Sequence, residues 1–159
     1  MPQGRPDQNA AIAGFTVDDA VALATAAHDG QLDKGGHPYI THPLRVMDNV
    51  EGTYARMAAV LHDVIEDTPV GADDLRTAGV PERVVVAVIA LSKEPGEPLE
   101  SSMARAAADT IALVVKRADI ADNRSEARLG QLDARTQARL RIKYARSVEL
   151  LERYAHGRS

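Results

Sequence analysis

Residues 53–69 read TYARMAAVLHDVIEDTP, and they pose the problem that decides both fold and function. Apolar positions recur at helical spacing up to Ile65, and Pro69 stops the pattern by disfavouring α geometry at Thr68. Inside this run stand one histidine and three carboxylates. On a helical wheel with His62 at zero, Glu66 falls near about 40°, Asp63 near about 100° and Asp67 near about 140°. Leu61, Val64 and Ile65 gather on the opposite side. The ionisable groups thus share one face while the apolar three anchor the segment. Acids near a helix C-terminus meet the unfavourable end of its dipole, at ~0.3–1 kcal/mol each. A divalent cation would offset their repulsion, and imidazole with carboxylate is a suitable donor set. A solvated acidic face is the plainer alternative. Two adjacent donors, His62 and Asp63, do not complete a site, so further ligands must come from elsewhere.

Working outward, the pattern stays helical. TVDDAVALATAAH (16–28) opens on Thr16 with Asp19 three residues on, a capping box. PLRVMDNV (43–50) restarts a helix with Pro43 in its first turn. GADDLRTAG (71–79) is a short helix closed by Gly79. PERVVVAVIALS (81–92) is β-branched, yet it is long for a strand and has no partner strand. ESSMARAAA, TIALVVKRADIADNR and ARTQARLRIKYARSVELLERY read as three more helices. The last carries Leu140, Tyr144, Val148 and Leu151 on one stripe, either core or a dimer seam. GQLDKGGHPYITHP (30–43) and KEPGEP (93–98) are loops by their glycine and proline content. The reading is one all-α domain of about six to eight helices over residues 16–156, preceded by a flexible arm over 1–15.

Composition narrows the function classes. The 159 residues carry 19 basic and 23 acidic side chains, a formal charge of −4, which gives no basic field for nucleic acid. Aromatic content is 3% with no Trp, so a base-stacking nucleic-acid platform is not expected. Cysteine is absent, which removes thiolate metal sites and cysteine nucleophiles. No apolar run reaches the ~18 residues of a membrane span, and the first residues lack a secretory pattern. A cytoplasmic location is the expectation.

Two other stretches offer the missing ligands. The loop before Pro43 supplies His37 and His42, of which His42 sits where loop turns into helix. In VVKRADIADN (114–123), Lys116, Asp119 and Asn123 share a helical face at i, i+3 and i+7. An aspartate on a mostly apolar helix needs a partner. That partner is either Lys116 in an ion pair or a metal. Asp122 faces elsewhere and reads as surface. His28 lies on the apolar face of the first helix as a core or supporting histidine.

The order His42, then His62–Asp63, then Asp119 resembles the H…HD…D pattern of the HD-domain metal-dependent phosphohydrolases. AAHDGQLDKGGHPYITHPLRV, AAVLHDVIEDTP and VVKRADIADN are similar to three blocks of the alarmone hydrolases, both the small free-standing ones and the hydrolase domain of Rel/SpoT-type (p)ppGpp enzymes. The resemblance implies a helical HD domain holding one divalent cation, commonly Mn2+, with iron or zinc as alternatives. Its ligands would be His42, His62, Asp63 and Asp119, and its catalytic acidic pair Glu66 and Asp67. Lys34 and Asn123 match positions that contact the nucleotide, with Lys116 nearby. The implied reaction removes the 3′-pyrophosphate from nucleotides of the (p)ppGpp or (p)ppApp type. Asp33 departs from the pattern, because the family usually carries a basic residue there that is associated with stacking on guanine. An adenine alarmone, another phosphate ester, or a non-catalytic nucleotide-binding role remain the alternatives.

Overall fold

The computed structural model describes residues 14–157. Of the expected N-terminal arm only Gly14 and Phe15 fall within that range, and Phe15 packs partly buried against the core. The helices run α1 Val17–Ala27, α2 Thr41–Asp48, α3 Thr53–Leu61, α4 Val64–Asp67, α5 Ala72–Ala78, α6 Glu82–Leu91, α7 Leu99–Ala107, α8 Thr110–Asn123, α9 Glu126–Leu129 and α10 Ala134–His156. Among the described residues there is no strand, and an isolated antiparallel bridge joins Leu32 to Pro38 across the loop before α2. No described helix is long and apolar enough to cross a membrane.

α3 is the central element, contacting α1, α2, α6 and α8. Met57, Ala58, Ala59, Val60 and Leu61 are all buried along it. Its small alanines let neighbouring helices approach closely on several sides. The capping box at Thr16 forms as its sequence predicts, with Thr16 and Asp19 exchanging backbone-to-side-chain bonds of 2.9 and 3.0 Å. Gly79 ends α5 at φ 101°, a left-handed backbone that a Cβ would disfavour.

The β-branched run is helical. Val84, Val85 and Val88 of α6 are fully buried in the main core. Burial is worth ~1.5–3 kcal/mol per such side chain, well above the fraction of a kcal/mol that valine loses in a helix. A second, smaller core gathers Met103, Ala106 and Ala107 of α7, Ile120 of α8, and Leu150 and Leu151 of α10. Tyr144 and Val148 pack against it. The stripe on α10 is therefore intramolecular core.

Two expectations change. The segment 53–68 is two helices, α3 and α4, with His62 and Asp63 at the break between them. The His62 imidazole donates from Nδ1 to the Ala59 carbonyl at 2.6 Å, satisfying an acceptor in the last turn of α3. Breaks of this kind raise the number of helical segments to ten among the described residues. The short α9, capped by Ser125, is the other addition.

The second core gives a direct test. Leu150→Ala should destabilise the protein by ~2–5 kcal/mol in urea unfolding followed by circular dichroism. Ile142→Ala, at a position 73% exposed on the same helix, should stay within about 0.5 kcal/mol. A large effect at Ile142 with none at Leu150 would return α10 to the role of an intermolecular seam.

Candidate metal centre and active site

Three elements deliver the site. The first turn of α2 carries His42, the end of α3 carries His62, and the middle of α8 carries Asp119. The ligand atoms of these three lie within 4.8 Å of one another, and all three residues are buried. Asp119 Oδ1 is 2.9 Å from His42 Nε2 and 3.2 Å from His62 Nε2. Asp119 Oδ2 takes a bond from Lys116 Nζ at 3.0 Å. The ion pair and the metal-ligand readings of Asp119 are thus compatible, because each uses a different oxygen. Asn123 donates to Oδ1 at 3.1 Å, as the i, i+4 spacing allows.

Asp63 adjoins this trio. Its Oδ2 lies 3.1 Å from His62 Nε2 and 3.9 Å from His42 Nε2, and accepts a hydrogen bond from the Tyr39 hydroxyl. Burial and the Asp63 carboxylate together push the Tyr39 hydroxyl pKa upward, so Tyr39 remains a donor.

The orientation of both histidines is set from behind. His42 donates from Nδ1 to Asp122 Oδ2 at 2.7 Å, and His62 donates from Nδ1 to Ala59. In each neutral ring the proton sits on Nδ1, leaving the Nε2 lone pair facing the centre, as a metal ligand requires. Burial lowers the pKa of both imidazoles. For His42, bonds to Asp119 and Asp122 more than offset it. For His62, the charges of Asp63 and Asp119 do so. Both rings thus hold a proton more tightly than an ordinary histidine. Burial raises Asp119 too, yet Lys116 and the two imidazoles hold it well below the usual carboxylate range.

Glu66 and Asp67 line the same cavity, of about 420 Å³, together with His42, Asp63 and Asp119. The Lys93 backbone N–H donates to Glu66 Oε1 at 2.9 Å, which anchors that carboxylate to the α6–α7 loop. For Asp67, burial and the nearby Asp63 and Glu66 charges raise the pKa to about 6. Gln31 holds the Asp67 carbonyl at 2.8 Å, and His28 holds Gln31 at 2.7 Å. The supporting role expected for His28 is therefore exerted through Gln31.

Lys34, Lys116 and Asn123 also line the cavity, as does Lys143 from α10. Burial, then the charges of Lys93, Lys116 and Lys34, lowers the Lys143 pKa. The cavity therefore has an acidic floor and a basic wall. His37 lies outside it, on the exposed side of the loop.

Sequence reasoning missed four contributors. Asp122 is not a surface residue; it holds His42 and is gripped by Arg45 at 2.8 and 3.2 Å. Burial raises its pKa, but bonds from His42 and Arg45 more than compensate, leaving it at about 2. Its position three residues after Asp119 was the available signal. Tyr39, Lys143 and Arg128 carried weaker ones, since each reaches the cavity only through tertiary packing. Asp33 turns inward, accepting from the Gly35 and His37 amides at 2.9 Å each.

No family model matches the chain. It is 47% identical over 58 residues to the guanosine-3′,5′-bis(diphosphate) 3′-pyrophosphohydrolase of Haemophilus influenzae, covering 34% of this chain and 9% of that protein. It is 47% identical over 60 residues to the bifunctional (p)ppGpp synthase/hydrolase SpoT of Escherichia coli, covering 35% and 8%. A longer match, 36% over 115 residues, is to the GTP pyrophosphokinase of Streptomyces coelicolor, covering 65% of this chain and 14% of that protein. The chain thus spans about a tenth of the length of these curated relatives. Among solved structures, a metazoan ortholog of SpoT that hydrolyses ppGpp superposes with a TM-score of 0.73 at 22% identity, over 85% of this chain and 84% of that one. The chain is thus similar in sequence to Rel/SpoT enzymes over these stretches, and its all-α fold is that of the SpoT ortholog.

Proposed function

We propose that the protein is a metal-dependent alarmone hydrolase, removing the 3′-pyrophosphate of (p)ppGpp- or (p)ppApp-type nucleotides. The observation that carries this reading is the convergence of buried His42, His62 and Asp119, of which His42 and Asp119 line the cavity together with Glu66 and Asp67. The donor chemistry fits a divalent ion: two imidazoles with Nδ1 already bonded, and carboxylates that otherwise repel one another. His42, His62, Asp63 and Asp119 would hold it, with Mn2+ the preferred ion and iron or zinc the alternatives. When bound, such an ion stabilises negative charge on phosphoryl oxygens and acidifies water.

The chain's own groups supply the rest. Asp67, with its pKa at about 6, is poised as the general base near neutral pH. Glu66, anchored by the Lys93 amide, orients the attacking water. Water adds to the 3′-phosphorus as Asp67 takes its proton, the bond to the ribose 3′-oxygen breaks, pyrophosphate departs, and that proton passes to the 3′-oxygen to leave a hydroxyl. Lys34, Lys116 and Lys143 offset the growing charge. Asn123 and Lys34 contact the nucleotide in this reading. Substrate is a small nucleotide, with no nucleic-acid or membrane partner.

Asp33 favours a second reading for the substrate alone. Its carboxylate is engaged by two loop amides, and an acidic group offers a guanine ring no cationic face. An adenine alarmone or another nucleotide ester would then be the preferred substrate of the same centre. Pyrophosphate release measured with Mn2+ on ppGpp, ppApp and simple nucleotides decides between them. A metal-loaded protein that cleaves none of these would leave a nucleotide-binding domain.

Asp67→Ala should lower kcat by roughly 10²- to 10⁴-fold while Mn2+ still binds in isothermal titration. Loss of the metal in that variant would place Asp67 among the ligands instead. Asp119→Ala should lose both metal and turnover.

Two pH effects follow and separate by readout. Because His42 and His62 hold protons more tightly than usual, Mn2+ must displace them, so its affinity should rise with pH and binding should release protons. At saturating Mn2+, turnover needs Asp67 ionised. Its acidic limb should fall at or below pH of about 6, the bound cation moving it downward. Turnover that decreases as pH rises through this range would exclude Asp67 as the base.

A further inference from the structure

We infer that Arg128 is a positioning residue of this centre, fastening the loop over residues 31–38 to the polar groups that orient Asp119 and His42. The inference rests on the metallohydrolase reading above. Arg128 projects from α9 into the cavity wall, where its side chain is 18% exposed. Its Nη1 donates to Asn123 Oδ1 at 2.6 Å and lies 3.5 Å from Asp122 Oδ2. Its Nη2 lies 3.9 Å from Asp33 Oδ2.

Each of these acceptors is also tied to something the site uses. Asn123 reaches Asp119 with its other end, Nδ2 to Oδ1. Asp122 holds the Nδ1–H of His42. Asp33 gathers the amides of Gly35 and His37 and so shapes the loop that carries Lys34. One guanidinium thus bridges the substrate-facing loop and two supports of the metal cluster.

The chemistry explains why the group must be forked. A carboxamide has an acceptor end and a donor end. While Arg128 occupies Oδ1 of Asn123, the NH2 group is the end that faces the Asp119 carboxylate. Without that donor the amide can turn over, setting oxygen against oxygen beside Asp119. Asp122 keeps Arg45 as a partner, so the loss acts mainly through Asn123 and through the freed loop. Lysine, with one ammonium head, cannot span the same acceptors. The inward-facing Asp33 gains a role by this account: it is the loop's end of the bridge.

The test uses the full chain with Arg128→Gln, Arg128→Lys, Asp33→Asn and the Asp33→Asn/Arg128→Gln double variant, each checked by thermal unfolding. In metal-free protein, the Asn123 side-chain amide protons should form a resolved, exchange-protected NMR pair that collapses in Arg128→Gln. Mn2+ titration followed by its EPR signal should show affinity weakened about 10-fold or more, and Arg128→Lys should not restore it. The KM increase of the double variant should match that of Arg128→Gln alone, since both changes cut the same bridge. If Arg128→Gln does not fold, Arg128→Lys is read by the same measurements. An unchanged Asn123 amide pair, or strictly additive KM effects, overturns the inference. Wild-type protein that binds no Mn2+ and cleaves no phosphate ester overturns the functional reading instead, and the Asn123 signal then decides Arg128's role on its own.

Discussion

Asp119 carries a full negative charge at a position 5% exposed to solvent, and the site is arranged around that fact. Burying a lone carboxylate costs several kcal/mol unless partners compensate. Here the compensation is divided between two oxygens. Oδ2 meets Lys116 one turn back on the same helix, while Oδ1 meets two imidazoles and the Asn123 amide from three different directions. The first contact needs only α8. The second needs α2, α3 and α8 to pack at one register, so the charge of Asp119 and the packing of the core specify each other.

The same division explains how the centre suits a cation without a thiolate. Both histidines are fixed by acceptors on their far side, one a carboxylate and one a helix-terminal carbonyl. Their Nε2 atoms are then directed at a point that repulsion among Asp63, Asp119 and Asp67 makes strongly negative. Protons and a divalent ion would compete for that point, which would couple occupancy of the centre to pH. Burial, reinforced by the same field, raises the pKa of Asp67. An acidic floor would repel a nucleotide polyphosphate, and Lys34, Lys116 and Lys143, which line the same cavity, would offset this.

Much of this was legible in the chain. Helical periodicity, the capping box at Thr16, the left-handed stop at Gly79 and the i, i+3, i+7 face of Lys116, Asp119 and Asn123 are local properties, and they survive folding. The break at His62–Asp63 was not legible, because a helical wheel assumes an unbroken helix and the break depends on His62 turning back to the Ala59 carbonyl. Asp122 was misplaced for a related reason. Three residues after Asp119, it lies within about 60° of it on α8, and only the arrival of α2, with His42 and Arg45, gives that side its partners and its burial.

The sequence by itself determined the helical class, the apolar faces that build the two cores, and the donor types available for a metal, since these follow from side-chain chemistry and spacing within single helices. Tertiary structure alone decided which donors meet. His42 and Asp119 stand 77 positions apart, and no local rule sets their 2.9 Å separation. It also decided that Asp33 faces inward toward Arg128 and that Asp63 comes within 3.1 Å of His62 Nε2. These outcomes depend on how helices cross and where loops close, and both are fixed by packing between elements distant in the chain.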